Sequence, residues 1–157
     1  MRLIFLPNGT WLHATAFGGD GADHAVSLHI TEQGDSVILG KTSGTLVLGE
    51  YTLTDIDGLN DGSHHDVFLG RRQANASWDW AISAGGSGDD IPDSLGVSST
   101  GSMLISFISN QDGTYGAHDF DHRSQYDMGL WLYETDLDLD GVLDGLDNCP
   151  KNANNDQ

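Results

Sequence analysis

The feature that most constrains the fold of this chain is an internal duplication. When the sequence is shifted by 67 residues, residues 11–39 lie over residues 78–106 without a gap. A repeated pattern of tryptophan and glycine at a fixed offset is the sequence signature of tandem structural units. The identical pairs are Trp11/Trp78, Ala14/Ala81, Gly18/Gly85, Gly19/Gly86, Gly21/Gly88, Asp23/Asp90, Ser27/Ser94, Leu28/Leu95, Gly34/Gly101 and Ile38/Ile105.

Each copy is predicted to form the same series of β-strands. Residues 10–16 and 77–83 alternate large apolar with small side chains, which is typical of strands. A Gly-Gly-x-Gly turn follows, and then apolar runs joined by short turns that contain glycine, which is a hairpin pattern. Further strands are predicted over residues 44–54, 65–72 and 128–134. Since no segment has a helical period, the sequence predicts an all-β fold of four-stranded antiparallel units, each 60–70 residues long.

Composition and charge agree with this fold and limit the partners. The chain has 21 glycines and 3 prolines, which favours a turn-rich β protein. Its net charge of −18, from 24 acidic and 6 basic residues, would repel nucleic acid and anionic membranes and attract cations. We expect no membrane-spanning segment, because no apolar run approaches about 20 residues. The apolar start is too short for a signal peptide.

Residues 43–90 resemble the bacterial β-propeller repeats often labelled SBBP, whose units share the tryptophan, the Gly-Gly pair and their spacing. The resemblance covers most of residues 3–134 and implies propeller-like blades, although residues 107–134 depart from the pattern. Propellers usually close with at least four blades. Two copies therefore predict an incomplete propeller in residues 1–134, and we expect the chain to be part of something longer. Isolated units should be marginally stable or should pair their edges with other chains.

The C-terminal segment has the spacing of a calcium-binding loop. Carboxylates fall at positions one, three, five, nine and twelve of residues 136–147, with glycine at position six. In such a loop, alternate side chains converge on one ion and the residue at position seven offers its backbone carbonyl. The predicted ligands are Asp136, Asp138, Asp140, Val142, Asp144 and Asp147. Calcium suits this loop better than magnesium, which demands stricter octahedral geometry.

Since no helices flank this loop, an EF-hand is not expected. The sequence from Asp136 to Gln157 instead resembles the thrombospondin type 3 repeat, with its Asp-Asn-Cys-Pro and Asn-x-Asp-Gln positions filled. The resemblance implies an irregular, extended calcium-binding tail over residues 135–157. It also implies that Asn148 is a ligand, that Asn154 and Asp156 form part of a second site, and that Cys149 pairs with a neighbouring repeat. The alternative is a solvated acidic tail.

Two other segments are weaker metal candidates. In residues 118–122, His118 and His122 would share one face of a strand and could chelate zinc or copper, although a polar surface strand is the simpler interpretation. Residues 54–62 either form a weak calcium site or a plain turn. The oxygen ligands of such a site would be Asp55, Asp57, Asn60 and Asp61. The Gly-Gly-x-Gly segments are predicted to be turns, because they lack the lysine and helix of a phosphate site.

These patterns lead to three hypotheses about function. The first is a calcium-binding, non-enzymatic part of a secreted or cell-surface adhesion protein, with other extracellular proteins or glycans as partners. The second is the accessory propeller portion of a secreted hydrolase or lyase whose catalytic residues lie elsewhere. The third is a scaffold whose acidity serves only solvation in high salt. No catalytic triad or paired catalytic carboxylates stand out in the sequence, so we expect no enzyme activity from this chain.

Overall fold

A computed structural model describes residues 4–5, 11–56 and 62–136. These residues form antiparallel β-sheets and contain no helix, so the predicted all-β class is confirmed. No helix long and apolar enough to cross a membrane occurs in them. The strands are β1 (Ile4–Phe5), β2 (Trp11–His13), β3 (Gly18–Gly19), β4 (Asp23–Ile30), β5 (Ser36–Thr42), β6 (Leu46–Leu48), β7 (Tyr51–Leu53), β8 (Asp66–Arg72), β9 (Trp78–Gly86), β10 (Asp90–Val97), β11 (Met103–Ser109), β12 (Gly113–Tyr115), β13 (His118–Phe120) and β14 (Asp127–Tyr133).

Four sheets are built from these strands. The largest has six strands in the order β13-β12-β9-β8-β5-β4, and β10, β11 and β14 form a three-stranded sheet with β11 in the middle. A second three-stranded sheet has the order β3-β6-β7, and β1 pairs with β2. Within the described residues these sheets form no closed propeller.

The central strands β5 and β8 are buried on both faces, which explains their continuous apolar sequence. One face packs against the β10-β11-β14 sheet, and the shared core is Val37, Leu39, Val67, Leu69, Trp80, Ala84, Met103, Ile105, Phe107, Tyr115 and Trp131. The other face packs against the β6–β7 hairpin, with a core of Ile38, Leu46, Leu48, Leu53 and Phe68. In contrast, β11 and β14 alternate between buried and exposed residues, since only one face of their sheet is covered.

The structure confirms the duplication. Strands β4, β5, β6 and β7 recur as β10, β11, β12 and β13 at an offset of 67 residues, and β8 recurs as β14 at an offset of 61 because the loop before β14 is shorter. We call residues 11–72 the first repeat and residues 78–133 the second repeat. The pairing is repeated as well: β5 lies between β4 and β8, and β11 lies between β10 and β14.

Two predicted strands differ from the structure. The strand predicted over residues 44–54 is a hairpin of β6 and β7, because Gly49 adopts a φ of 66° and reverses the chain. The strand predicted over residues 10–16 is interrupted after His13, and the chain pairs again only at β3. The weakly matching residues 107–134 do carry the outer strands, as β12 and β13.

Candidate functional site

The predicted calcium loop begins at a point that is anchored to the second repeat. The first predicted ligand, Asp136, is half-buried and follows the end of β14 by three residues. The ring of Tyr133, the last residue of that strand, lies 5.3 Å from the ring of Trp80 and 5.6 Å from that of Trp131. Ser102 Oγ donates a hydrogen bond of 2.9 Å to Glu134 Oε1. The described chain is therefore held in place up to the start of the loop.

The remaining predicted calcium ligands lie outside the described residues. They are Asp138, Asp140, Val142, Asp144, Asp147, Asn148, Asn154 and Asp156, and Cys149 lies there too. Their chemistry can still be compared with that of the ion. Carboxylate, amide and backbone carbonyl oxygens are the hard ligands that calcium takes, six to eight at a time. The donor set therefore fits calcium.

An aspartate that is identical in the two copies accepts a hydrogen bond from each Gly-Gly-x-Gly segment. Asp23 Oδ2 accepts a hydrogen bond of 2.8 Å from the backbone N–H of Gly19. In the second repeat, Asp90 Oδ2 accepts a bond of the same length from the backbone N–H of Gly86. This aspartate satisfies a backbone donor at the same place in both repeats, which gives it a structural role.

The second oxygen of this aspartate has different partners in the two repeats. Asp23 Oδ1 accepts a hydrogen bond of 2.7 Å from Thr42 Oγ1. Asp90 Oδ1 accepts one of 2.6 Å from the hydroxyl of Tyr115, which stands where the first repeat has Leu48. Asp90 is fully buried, and this burial raises its pKa, while hydrogen bonds from Ser109, Tyr115 and Gly86 lower it. Burial also raises the pKa of the Tyr115 phenol, and the charge of Asp90 adds to the rise.

Asp66 lies next to Asp90 in the interior. Its Oδ2 accepts a hydrogen bond of 2.7 Å from the backbone N–H of Ile56, so it holds the preceding loop. A Cβ at Gly85 would lie 2.3 Å from Asp66 Oδ1 and 2.6 Å from Asp90 Oδ2. The two carboxylates thus flank Gly85, and no larger residue fits between them.

This arrangement leaves Asp66 protonated near neutral pH. Its pKa is raised to about 8: burial is the largest cause, the Ile56 N–H lowers the pKa, and the neighbouring Asp55 and Asp90 raise it. The equivalent residue of the second repeat is Asp127, which accepts hydrogen bonds from the backbone N–H groups of Arg123 and Ser124. The Arg123 N–H is the main reason why the pKa of Asp127 is lowered. One sequence position therefore carries a neutral acid in the first repeat and an anion in the second.

The weaker metal candidates gain no support from the geometry. In the part of the chain that the structure describes, no three His, Cys, Asp or Glu side chains are grouped so that they could hold a metal ion. Strand β13 ends at Phe120, so His122 does not continue the strand face of His118. In the acidic loop, Asp55 is buried beside Asp66, while Asp57, Asn60 and Asp61 lie outside the described residues.

The buried carboxylate of Asp66 was not predicted from the sequence. The identity of Asp23 and Asp90 in the duplication was the available signal for the turn aspartates. For Asp66 the signal was weaker: an aspartate opens both β8 and β14, but the two strands are related by a different offset from the rest of the repeat.

The fold and the C-terminal sequence define a class of protein: an all-β tandem repeat that is followed by an aspartate-rich segment. Residues 134–157 match the family model of the thrombospondin type 3 repeat. Repeats of this family are calcium-binding extracellular motifs. No curated protein and no solved structure matches the chain significantly. The resemblance of residues 3–134 to SBBP repeats stays a prediction.

Proposed function

We propose that this chain binds calcium through residues 136–157, as a non-enzymatic part of an extracellular interaction protein. The observation that supports this most is the match of residues 134–157 to the thrombospondin type 3 repeat. The predicted ligands Asp136, Asp138, Asp140, Asp144 and Asp147 stand at the loop positions whose side chains bind the ion. An extracellular location follows from the same proposal, because the family is extracellular.

The charge of the loop explains why calcium would change its structure. Five carboxylates in twelve residues repel one another until a cation neutralises them. Binding of the cation would therefore be coupled to ordering of the loop. Gly141 provides the bend at position six, and the carbonyl of Val142 supplies an uncharged ligand. Calcium binding should therefore order the segment that follows Asp136.

The contacts of Tyr133 and Glu134 would fix the point from which the calcium-bound segment extends. Because the described chain is held by side-chain contacts up to the first ligand, the calcium-loaded segment would project from the end of β14 at a defined place. We propose that the repeats in residues 1–134 form an interaction platform for extracellular proteins or glycans, and that the tail is a calcium-stiffened spacer.

Limited proteolysis of the intact chain tests the calcium proposal. Calcium at millimolar concentration should protect the segment after Asp136 from cleavage, and Asp140→Ala should abolish that protection. Asp121→Ala is the matched control, because it removes an exposed aspartate from the second repeat. If sodium chloride or magnesium protected the segment equally well, the acidity would serve solvation, and the calcium proposal would be wrong.

A further inference from the structure

The β10-β11-β14 sheet has an apolar outer surface, which we call the receiving face. Met128 is 75% exposed and Leu130 is 65% exposed. Direct pairing of Leu104 with Leu132 and of Ile108 with Met128 joins the two strands into one surface. The receiving face consists of Leu104, Ile108, Met128, Leu130 and Leu132, each of which is at least 38% exposed. Contiguous apolar surface of this kind marks an interaction site.

The duplication relates the receiving face to a surface of the first repeat that is covered. Its residues correspond to Val37, Lys41, Val67, Leu69 and Arg71 of the first repeat. In that repeat Val67 and Leu69 are 0% exposed, because the second repeat covers them. The receiving face is therefore the equivalent of a surface that is already an interface within this chain. It is also more apolar, since Ile108 and Leu132 replace Lys41 and Arg71.

The surface that covers the first repeat can be identified as well. In the second repeat, Leu95 and Val97 of β10 pack against the core that the sheets share, and Pro92 on the same face is buried. We call the equivalent surface of the first repeat the docking face. It consists of Ala25, Leu28 and Ile30. All three residues are exposed, Leu28 at 51% and Ile30 at 47%. The neighbouring Ile38 of β5 is buried under the β6–β7 hairpin, so the docking face is the exposed surface of β4. Among the described residues the chain thus carries one exposed receiving face and one exposed docking face on β4.

We propose that the docking face of one copy of this chain covers the receiving face of a second copy, in the way in which the second repeat covers the first. The contact is heterologous, because the two faces lie on different repeats. Each contact leaves a docking face and a receiving face unused at its two ends, so the assembly grows as a row or closes into a ring. The net charge of −18 on each copy opposes association, so salt strengthens it.

Sedimentation equilibrium of the intact chain in 0.5 M sodium chloride tests this proposal. The wild-type chain should associate as its concentration rises. Leu28→Asp, which places a charge on the docking face, and Leu130→Asp, which places one on the receiving face, should each weaken self-association more than about tenfold. A mixture of the two variants should form dimers and nothing larger, because only one intact face of each kind remains.

Val47→Asp is the matched control. Val47 is 45% exposed in the first repeat, and its equivalent Thr114 is exposed in the second, so the repeat relationship provides no partner for it. This variant should associate like the wild-type chain. Because Leu28 and Leu130 are exposed, the variants should fold, which near-ultraviolet circular dichroism checks. The milder changes Leu28→Ser and Met128→Ser repeat the test.

Three results would overturn the proposal. The first is a wild-type chain that remains monomeric at all concentrations. The second is a Leu28→Asp variant that associates like the wild-type chain, since receiving faces would then pair with each other. The third is a mixture of the two aspartate variants that stays monomeric. None of these results bears on calcium binding by the tail, which is measured separately.

Discussion

The ring of Phe107 lies over Gly129, its direct partner on the neighbouring strand. A Cβ at Gly129 would be 2.1 Å from the Phe107 ring. In the first repeat the same pair is exchanged: Gly40 lies beneath Phe68, and a Cβ at Gly40 would be 2.4 Å from that ring. In both repeats a phenylalanine ring thus packs over a glycine on the neighbouring strand, and the two strands exchange these residues between the repeats.

Gly129→Ala should destabilise the chain by about 1–3 kcal/mol, because the methyl group overpacks against the Phe107 ring. The matched control is Gly96→Ala in the same sheet, where the nearest atom to a new Cβ is Leu104 O at 3.9 Å. That change should alter stability by less than about 1 kcal/mol. Urea denaturation of both variants gives the comparison, and equal losses would show that the Phe107–Gly129 contact is not the cause.

The buried carboxylate of Asp66 predicts a stability that depends on pH. Its pKa in the folded chain is raised from 3.8 to about 8, so its contribution to stability is complete below about pH 4 and is lost as the pH rises through 8. The free energy of unfolding should therefore fall between about pH 4 and pH 8 and level off above pH 8. Asp66→Asn keeps an oxygen to accept from Ile56 and removes the titration, so it should flatten this fall. An unchanged slope in the variant would assign the pH dependence to other groups.

Asp127 should have the opposite dependence, although it occupies the equivalent position. Its folded-state pKa is lowered, mainly by the Arg123 N–H, so its contribution is present above its unfolded pKa and is lost as the pH falls. Asp127→Asn should be less stable than the wild-type chain at pH 7, and the difference should shrink towards pH 3. Thermal denaturation at both pH values measures this, and a difference that grows in acid would contradict it.

The hydroxyl of Tyr115 should be worth about 1–3 kcal/mol, because Tyr115→Phe leaves the buried Asp90 without its 2.6 Å donor. The loss should increase as the pH rises, since that hydrogen bond favours the ionised carboxylate. Tyr126→Phe, at a residue that is 50% exposed, should change stability by less than about 0.5 kcal/mol. Equal behaviour of the two variants in urea would show that the bond to Asp90 contributes nothing.

The strand pattern could be predicted from the sequence because apolar runs and glycine turns are local signals. The runs that contain Ile38 and Phe68 were recognised as strands, and the duplication predicted that they recur. The reversal at Gly49 was missed, since apolar residues continue on both sides of it and only its φ of 66° separates β6 from β7.

The burial of Asp66 could not be predicted, because burial is set by packing between repeats. An aspartate opens both β8 and β14, yet Asp66 is 2% exposed and Asp127 remains partly accessible. The central strands β5 and β8 of the first repeat are covered on both faces, whereas β11 and β14 of the second repeat are covered on one. A local sequence pattern identifies a strand, but it does not show whether another sheet packs against the sheet to which that strand belongs.

Calorimetric titration of calcium into the intact chain tests the central claim most directly. We predict saturable binding to at least one site, which is lost in Asp140→Asn, retained in Asp121→Asn and not reproduced by magnesium. If the wild-type chain and Asp140→Asn gave the same heats, or if neither bound calcium, residues 136–157 would not form the proposed site.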